Sequence, residues 1–289
     1  MQGEAVLQLS QSERYADFYT RARRRFARFR FDIHYRCRRL HEVLAALELA
    51  TSGQLVLDMG FGSGELLASF PDSCRVIGVD VSASAVEAAR RDPRFARFQQ
   101  ASFQRVPEAE PEAMPELQAD LVLSSHVLEH APDDRRLLSE LFRRTRPGGV
   151  LALFVPLEEP DYILFHRRNY SLQSITERVE HAGFEPLWCE GSMYVNGHVW
   201  KLLTIPSRRG WPVLRHVADA LRVGTLGAIP YPWLKRLDRA LFRLGCDARQ
   251  ALVVARRPVE HTATGARGER RAAAASPGGR SACGPPIAQ

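Results

Sequence analysis

Residues 55–64, LVLDMGFGSG, constrain the fold more than any other part of this 289-residue chain. They begin with a short apolar run typical of a buried strand, and Gly60, Gly62 and Gly64 follow at every second position. Glycine permits tight turns and lets a ligand approach the main chain closely. A strand that runs into such a turn predicts a ligand crevice at the carboxyl end of a parallel sheet, although a plain strand–helix connection would look the same.

The glycine spacing discriminates between nucleotide ligands. A dinucleotide fingerprint needs G-x-G-x-x-G, and its third glycine would fall on Glu65, which disfavours a nucleotide-dependent oxidoreductase. A second apolar run, Ile77-Gly78-Val79-Asp80, ends in a carboxylate about twenty residues later, where it can accept hydrogen bonds from ribose hydroxyls. Asp80 could instead be an ordinary cap of the next helix. Together the two segments favour an adenosine-containing ligand.

Short apolar runs alternate with amphipathic stretches from residue 54 onward, which predicts a doubly wound α/β fold with a mainly parallel seven-stranded sheet. The predicted strands are 54–58, 75–80, 95–100, 120–124, 150–155, 185–190 and 250–256. Helices are predicted from near Glu65 and at 83–91, 133–144 and 172–182. The expected organisation is an N-terminal helical lid (1–50), a ligand-binding domain (51–191), a helical insert or substrate cap (192–248), a final strand (249–257) and a disordered tail (258–289).

Five segments, in order, resemble the class I S-adenosylmethionine-dependent methyltransferases, especially the small-molecule group that includes ubiquinone and menaquinone biosynthesis methyltransferases. The segments are VLDMGFGSGELL, IGVDVSASAVEAAR, ADLVLSSHVLEHAPD, LFRRTRPGGVLALFVP and SLQSITERVEHAGFEPLWCEG. The resemblance covers roughly residues 50–190 and implies a Rossmann-like methyltransferase fold with S-adenosylmethionine as the cofactor.

The resemblance also implies the cofactor-binding residues. They are Asp58, Met59, Gly60, Phe61, Gly62, Gly64, Asp80, Val81, Ser102, Phe103, Ser124 and His126. Ser102 stands where the family usually has an acidic residue that meets the adenine amino group, so we expect weaker adenine binding there.

Histidines are the candidates for the reacting end of the site. His126 follows strand 4 and is predicted to be the catalytic base, a cofactor wall, or both, because histidine is the commonest general base. His166 and Tyr170 follow strand 5, where related enzymes build the acceptor site, although a solvated loop is equally compatible. No metal site is predicted, because His126 and His130 would need further ligands that the sequence does not reveal.

Charge and cysteine content bear on the partners. The formal net charge is +7, and the arginines cluster in residues 21–39 and recur with tryptophans in 207–249. These stretches could contact a membrane surface or simply present a solvated face, and no nucleic-acid-binding module is recognisable. Five widely spaced cysteines, no leader-like start and no long apolar run predict a cytoplasmic protein, with peripheral membrane contact left open.

The expected function is methyl transfer to the oxygen or carbon of a small-molecule acceptor such as a sugar, quinone, polyketide or lipid-like compound. One alternative is a non-catalytic cofactor-binding or scaffold protein. Another is an RNA methyltransferase, which is disfavoured because residues 124–127, SSHV, replace the Asn/Asp-Pro-Pro-aromatic motif of enzymes that act on exocyclic amines.

Overall fold

The computed structural model describes residues 31–157, 166–195 and 228–259. Seven strands lie in this part of the chain: β1 Leu55–Met59, β2 Arg75–Asp80, β3 Gln100–Arg105, β4 Ala119–Ser125, β5 Thr145–Pro156, β6 Glu185–Ser192 and β7 Gln250–Arg256. Five α-helices accompany them: α1 Phe31–Ala46, α2 Ala83–Arg90, α3 Asp134–Arg144, α4 Leu172–His181 and α5 Tyr231–Arg243.

The strands form one sheet in the order β3-β2-β1-β4-β5-β7-β6. The first five strands are parallel, and β7 pairs antiparallel with both β5 and β6. Chain order reverses between β1 and β4, and such a switch point opens a crevice at the carboxyl ends of the strands. The predicted fold class, a doubly wound and mainly parallel seven-stranded sheet, is confirmed.

Both faces of the sheet are covered by helices. Successive strand residues point to opposite faces, so Val56 belongs to one buried cluster and Leu57 to the other. Helices α1 and α2 pack on the first face, and α3 and α4 pack on the second. Sandwiched strands need apolar side chains on both faces, which explains the nearly continuous apolar runs of β1, β4, β5 and β7.

Strand β3 was predicted about five residues too early. The aromatic run that suggested a strand, with Phe95 and Phe98, instead forms a short 3₁₀ turn over Pro93–Phe95 and a following bend, and both rings point into the core. The true strand is polar and largely exposed, because it lies at the edge of the sheet.

Two further local predictions were wrong. A 3₁₀ turn at Leu67–Ser69 follows the glycine loop, where an α-helix was expected from near Glu65. Strand β5 was predicted to begin at residue 150 but begins at Thr145, so that Arg146-Pro147-Gly148-Gly149 lies inside it, where the ladder with β4 shifts register and Gly148 has a φ of 76°. A glycine-rich stretch in a strand commonly marks such a bulge.

Helices α1 and α5 meet at a third cluster. The Tyr35 hydroxyl donates to Asp238 Oδ2 at 2.7 Å, and the same carboxylate accepts the backbone N–H groups of Met193 and Val195 at 2.9 Å. Asp238 is buried, so these donors replace its lost hydration. This contact joins part of the predicted lid to part of the predicted insert.

Several predictions fall outside the described residues: those on 1–30, on 196–227 and on 260–289, which include residues 21–30 and 207–227 of the two arginine-rich stretches. Within the described ranges, no helix is long and apolar enough to cross a membrane. Helix α5 exposes Trp233 and Leu237 beside basic residues, and peripheral membrane contact stays a prediction. The four described cysteines are free thiols.

Candidate functional site

The glycine loop after β1 is held in a conformation that favours glycine. Gly60, Gly62 and Gly64 have φ angles of 78°, 54° and 78°, in the left-handed region where a Cβ is costly. The Gly60 N–H donates to the Val79 carbonyl at 2.7 Å, which ties the loop to β2. A Cβ on Gly64 would lie 2.7 Å from Cζ of Phe95, so this glycine is needed for packing beneath the loop.

A cavity of about 460 Å³ opens at the carboxyl ends of β1, β2 and β4. This volume lies within the range of small-molecule sites. Its wall is made by the start of α1, the glycine loop, the segments after β2, β3 and β4, and His166. The lining residues are Asp32, Ile33, Arg36, Asp58, Met59, Gly60, Phe61, Gly62, Ser63, Glu65, Leu66, Asp80, Val81, Glu108, Ala109, Pro111, Ser125, His126, Val127, Glu129, His130, Ala131, Pro132, Asp133, Arg136, Leu137, Pro156 and His166.

Asp58 is a buried carboxyl with unused hydrogen-bonding capacity. It is 1% exposed, and neither carboxylate oxygen has a hydrogen-bond partner among the described residues. Burial, with a contribution from nearby Asp80, raises the pKa of Asp58 to about 8. A buried polar group without a partner is rare and costly, so these oxygens suit a ligand that brings a cation or donors.

Asp80 is fixed by the backbone around it. Its Oδ2 accepts the Gly62 N–H at 2.9 Å, and its Oδ1 accepts the Ser82 N–H at 2.8 Å. Burial raises the pKa of Asp80, and these backbone donors oppose the rise. Each carboxylate oxygen has a second lone pair, so the side chain can still accept hydroxyl groups of a ligand in the cavity.

His126 lies at the end of β4 in a strained conformation. Its φ is 58°, which is uncommon for a residue with a Cβ, and its N–H donates to the Phe154 carbonyl at 2.9 Å. The ring Nε2 lies 3.0 Å from Gln250 Oε1 on β7. One third of the side chain is exposed, and this part faces the cavity. Burial, aided by the positive charge of Arg36, lowers the pKa of His126 to about 3.

Two further imidazoles adjoin Glu129. The ring of His130 contacts that of His166 edge to face, with centroids 4.9 Å apart. Oε1 of the buried Glu129 lies 3.5 Å from His126 Nδ1 and 3.8 Å from His130 Nε2. Burial lowers the pKa of His166 to about 4, with His130 adding to the effect. His166 is therefore neutral at pH 7 and can offer a lone pair.

The cavity brings together most of the residues predicted to bind the cofactor or acceptor. Those that line it are Asp58, Met59, Gly60, Phe61, Gly62, Asp80, Val81, His126 and His166. Their roles toward ligands stay predictions.

Five predicted residues do not line the cavity. Ser102 is exposed in the middle of β3, opposite Ile77. Phe103 is buried beneath the sheet, 5.3 Å from Phe61 between ring centroids. Both predictions rested on ending β3 at residue 100, whereas the strand continues to Arg105.

The other three residues lie outside the cavity wall. Gly64 packs against Phe95 as described above. Ser124 is fully buried, and its neighbour Ser125 lines the cavity instead. Tyr170 is 4% exposed and donates its hydroxyl to Asp134 Oδ2 at 2.8 Å, so it anchors the chain below the site and forms no acceptor wall.

The sequence predictions missed several lining residues. Arg36 and Asp32 come from the first helix, where nothing in the sequence separates a cavity-facing arginine from the other arginines. Glu108 comes from the loop after β3, and a correct strand end would have identified it as the first acidic residue beyond the strand. Glu129 belongs to the segment ADLVLSSHVLEHAPD, and no role was predicted for it.

Comparison with known proteins identifies the family. A family model described as a methyltransferase domain matches residues 57–153, which include the end of β1, all of β2, β3 and β4, and most of β5. A Mycolicibacterium smegmatis protein described as an S-adenosylmethionine-dependent methyltransferase is 31% identical over 199 residues, or 63% of this chain and 72% of that protein.

Other relatives are matched over shorter stretches. A trans-aconitate 2-methyltransferase of Azoarcus sp. is 34% identical over 134 residues. The match covers 45% of this chain and 50% of the Azoarcus protein, so this chain spans about half the length of that relative. A solved structure from Galdieria sulphuraria, assigned as a sarcosine dimethylglycine methyltransferase, superposes with a TM-score of 0.53 at 15% identity. The match covers 77% of this chain and 85% of that one, and it shows the shared fold. On its sequence match to the mycobacterial protein and the methyltransferase domain, this chain belongs to the S-adenosylmethionine-dependent methyltransferases.

Proposed function

We propose that the chain transfers the methyl group of S-adenosylmethionine to an oxygen or carbon of a small-molecule acceptor that enters beside His166. The observation that carries the proposal is the charge of the cavity. Seven carboxyl side chains and two guanidinium groups line it, although the whole chain carries a formal net charge of +7. The site therefore has the opposite sign to the protein around it.

This charge pattern favours one class of nucleotide. S-adenosylmethionine carries a sulfonium and an ammonium group and no phosphate, so carboxylates in the cavity attract its cationic end. A dinucleotide would bring a pyrophosphate and an RNA would bring its phosphate backbone, and both would meet like charges in a partly desolvated space. The cavity thus supports the methyl donor over NAD and a small acceptor over RNA.

The residues present fit the donor. Asp58, with two buried oxygens that lack partners in the described chain, would receive the ammonium group. Asp80 would accept the ribose hydroxyls, and Arg36 of α1 would pair with the methionine carboxylate. Glu108, in the loop after β3, would meet the adenine amino group in place of Ser102. Each role matches the charge and hydrogen-bonding type of the side chain.

S-adenosylmethionine supplies a methyl group that is already activated by a sulfonium leaving group, so the main task of the protein is alignment. Positioning alone can contribute several kcal/mol to the barrier reduction. A base with a pKa near 3 is far from the value that suits proton removal at neutral pH. We therefore assign His126 to the cavity wall, where it positions ligands, rather than to proton abstraction.

The reacting end of the cavity suits a compact, oxygen-bearing acceptor. Ser125, His130 and His166 offer hydrogen-bonding groups there, and Pro156 adds an apolar surface. The Azoarcus relative is named for methylation of trans-aconitate, a small polycarboxylate, which supports a small-molecule acceptor for this chain too. An acceptor that is already anionic would need little help from a base.

Calorimetric titration with S-adenosylmethionine, S-adenosylhomocysteine and NAD tests the donor assignment. We expect both adenosyl ligands to bind and NAD to bind at least about a hundredfold more weakly. The D80A variant should lose most adenosyl affinity, whereas D72A, which removes an exposed carboxylate away from the cavity, should bind as the wild type does. Equal affinity of D80A and wild type would contradict the ribose assignment.

An acceptor screen tests turnover. Small hydroxy acids, polycarboxylates, sugars and quinols are incubated with donor and protein, and S-adenosylhomocysteine is quantified by mass spectrometry. We expect acceptor-dependent product that disappears in D80A. Tight donor binding with no product from any acceptor would favour the non-catalytic alternative.

A further inference from the structure

We propose that Glu129, His130 and His166 form a binding site for a divalent transition-metal ion at the acceptor end of the cavity. One potential ligand atom from each residue lies within 4.8 Å of the other two. All three residues line the same cavity as Asp58 and Asp80. The set of two imidazoles and one carboxylate is the ligand type that zinc and related ions use in open, reactive sites.

The distances suit an ion after a small adjustment. Ligand atoms about 2.1 Å from a tetrahedral ion lie about 3.4 Å from one another. The three atoms here are within 4.8 Å, so side-chain rotations that move each by about 1 Å would close the site.

The backbone around the cluster is firmly held. The Arg167 N–H donates to the Glu129 carbonyl at 2.8 Å, which fastens the His166 segment to the loop after β4. The Arg168 guanidinium donates to the carbonyls of Leu128 and Ala131 at 2.9 and 2.5 Å. Ligands on separate chain segments are therefore kept side by side, as a preorganised site requires.

The position of Glu129 points the same way. Its side chain is 1% exposed, and the imidazoles of His126 and His130 lie within 4 Å of its Oε1. Because Gln250 Oε1 is an acceptor, its 3.0 Å contact with His126 Nε2 requires the proton there, and a singly protonated ring then carries its lone pair on Nδ1, the atom nearer the carboxylate. A cation bound here would interact favourably with the carboxylate and with an imidazole lone pair.

A three-ligand site leaves coordination positions open toward the cavity. An acceptor oxygen, as carboxylate, enolate or hydroxyl, would occupy one of them, and the ion would offset the negative charge of the surrounding carboxylates. This second step rests on the proposed function. An acceptor that binds the ion would be a metal-chelating oxygen compound. The charge of the ion would explain how an anionic acceptor enters a cavity lined by carboxyl groups.

Titration with Co²⁺ tests the site without any methyl donor. The full-length protein is freed of metal with a chelator, and visible d–d absorption reports ordered nitrogen and oxygen ligands. We expect a single saturable ion per chain, displaced by Zn²⁺. H130A and H166A should each weaken Co²⁺ binding at least about tenfold. H181A, which removes an exposed histidine on α4, should bind as the wild type does.

The outcomes separate this site from the proposed function. No saturable Co²⁺ signal, or equal binding by wild type, H166A and H130A, would overturn the metal site. Calorimetry of H166A with S-adenosylmethionine provides the second readout, and we expect donor affinity within about twofold of the wild type. Metal binding without donor binding would refute the methyltransferase proposal alone, and donor turnover without metal binding would refute the metal site alone.

Discussion

The protonation of Asp58 should control donor affinity. Burial raises the pKa of this carboxyl to about 8, so about nine tenths of the molecules carry a neutral Asp58 at pH 7. A ligand ammonium favours the ionised form, so binding must displace the proton. If only the ionised form binds, the apparent Kd falls about tenfold, or about 1.4 kcal/mol, for each unit that the pH rises toward the pKa.

The assay is calorimetric titration with S-adenosylmethionine between pH 5.5 and 7, where the ligand ammonium stays charged because α-amino groups titrate near pH 8. His126 and His166, with pKa values of about 3 and 4, stay neutral throughout. Over this interval we expect about a thirtyfold gain in affinity. Repeating the titration at pH 7 in two buffers with different ionisation enthalpies should show about 0.9 proton released per ligand bound.

D58N isolates this effect. The amide has nearly the same shape and no charge at any pH, so donor affinity should be weak and its pH slope should shrink, leaving only the contribution of Asp80. The same slope in D58N and wild type, or no proton release in the wild type, would refute the reasoning. The raised pKa of Asp58 in the folded state makes the wild type less stable as the pH rises from about 4 to 8. The melting temperature of ligand-free D58N should therefore exceed that of the wild type at pH 8 and match it near pH 4.

Three further predictions concern stability. G64A should lower the free energy of unfolding by about 1–3 kcal/mol, since the new Cβ would lie 2.7 Å from the Phe95 ring and φ is 78°. G53A is the control, because Gly53 has a similar φ of 70° and open space around it. Chemical denaturation of both variants therefore separates the cost of the steric clash from the cost of backbone strain. Y35F removes the only side-chain donor seen on Asp238 among the described residues and should cost about 1–3 kcal/mol, whereas a melting temperature equal to the wild type would contradict the α1–α5 contact. Y170F should cost about 1–2 kcal/mol without changing donor affinity or the KM for an acceptor, and a raised KM alone would restore Tyr170 to the acceptor site.

The parts of the fold that sequence could predict are those with strong local patterns. Strand β7 matches its predicted bounds because the five consecutive apolar residues between Gln250 and Arg256 carry the signature of a strand covered on both faces. Helix α3 begins where Asp133 caps it, with its side chain accepting from the N–H groups of Arg135 and Arg136. Both signals lie within a few residues of the feature that they predict.

The wrong predictions concern features that depend on distant residues. The apolar character of Phe95 and Phe98 comes from packing beneath the sheet, and it was mistaken for strand alternation. Strand β3 has no apolar pattern because it lies at the sheet edge, and its end decides whether Ser102 or Glu108 faces the cavity. Local sequence carries little information on either point.

The same reasoning explains why the donor end of the site was easier to predict than the acceptor end. Asp58 and Asp80 are placed by β1 and β2, two neighbouring parallel strands whose carboxyl ends must adjoin. His166 reaches Glu129 through a chain segment that follows β5, and its position depends on contacts such as Arg167 N–H to the Glu129 carbonyl. Strand pairing thus fixes the donor end, whereas loop contacts fix the acceptor end. Substitutions in the His166 segment can therefore change which acceptor is bound while leaving the donor carboxylates in place. Measuring the donor affinity and the acceptor affinity of both H166A and D58N would show how independent the donor end and the acceptor end of the cavity are.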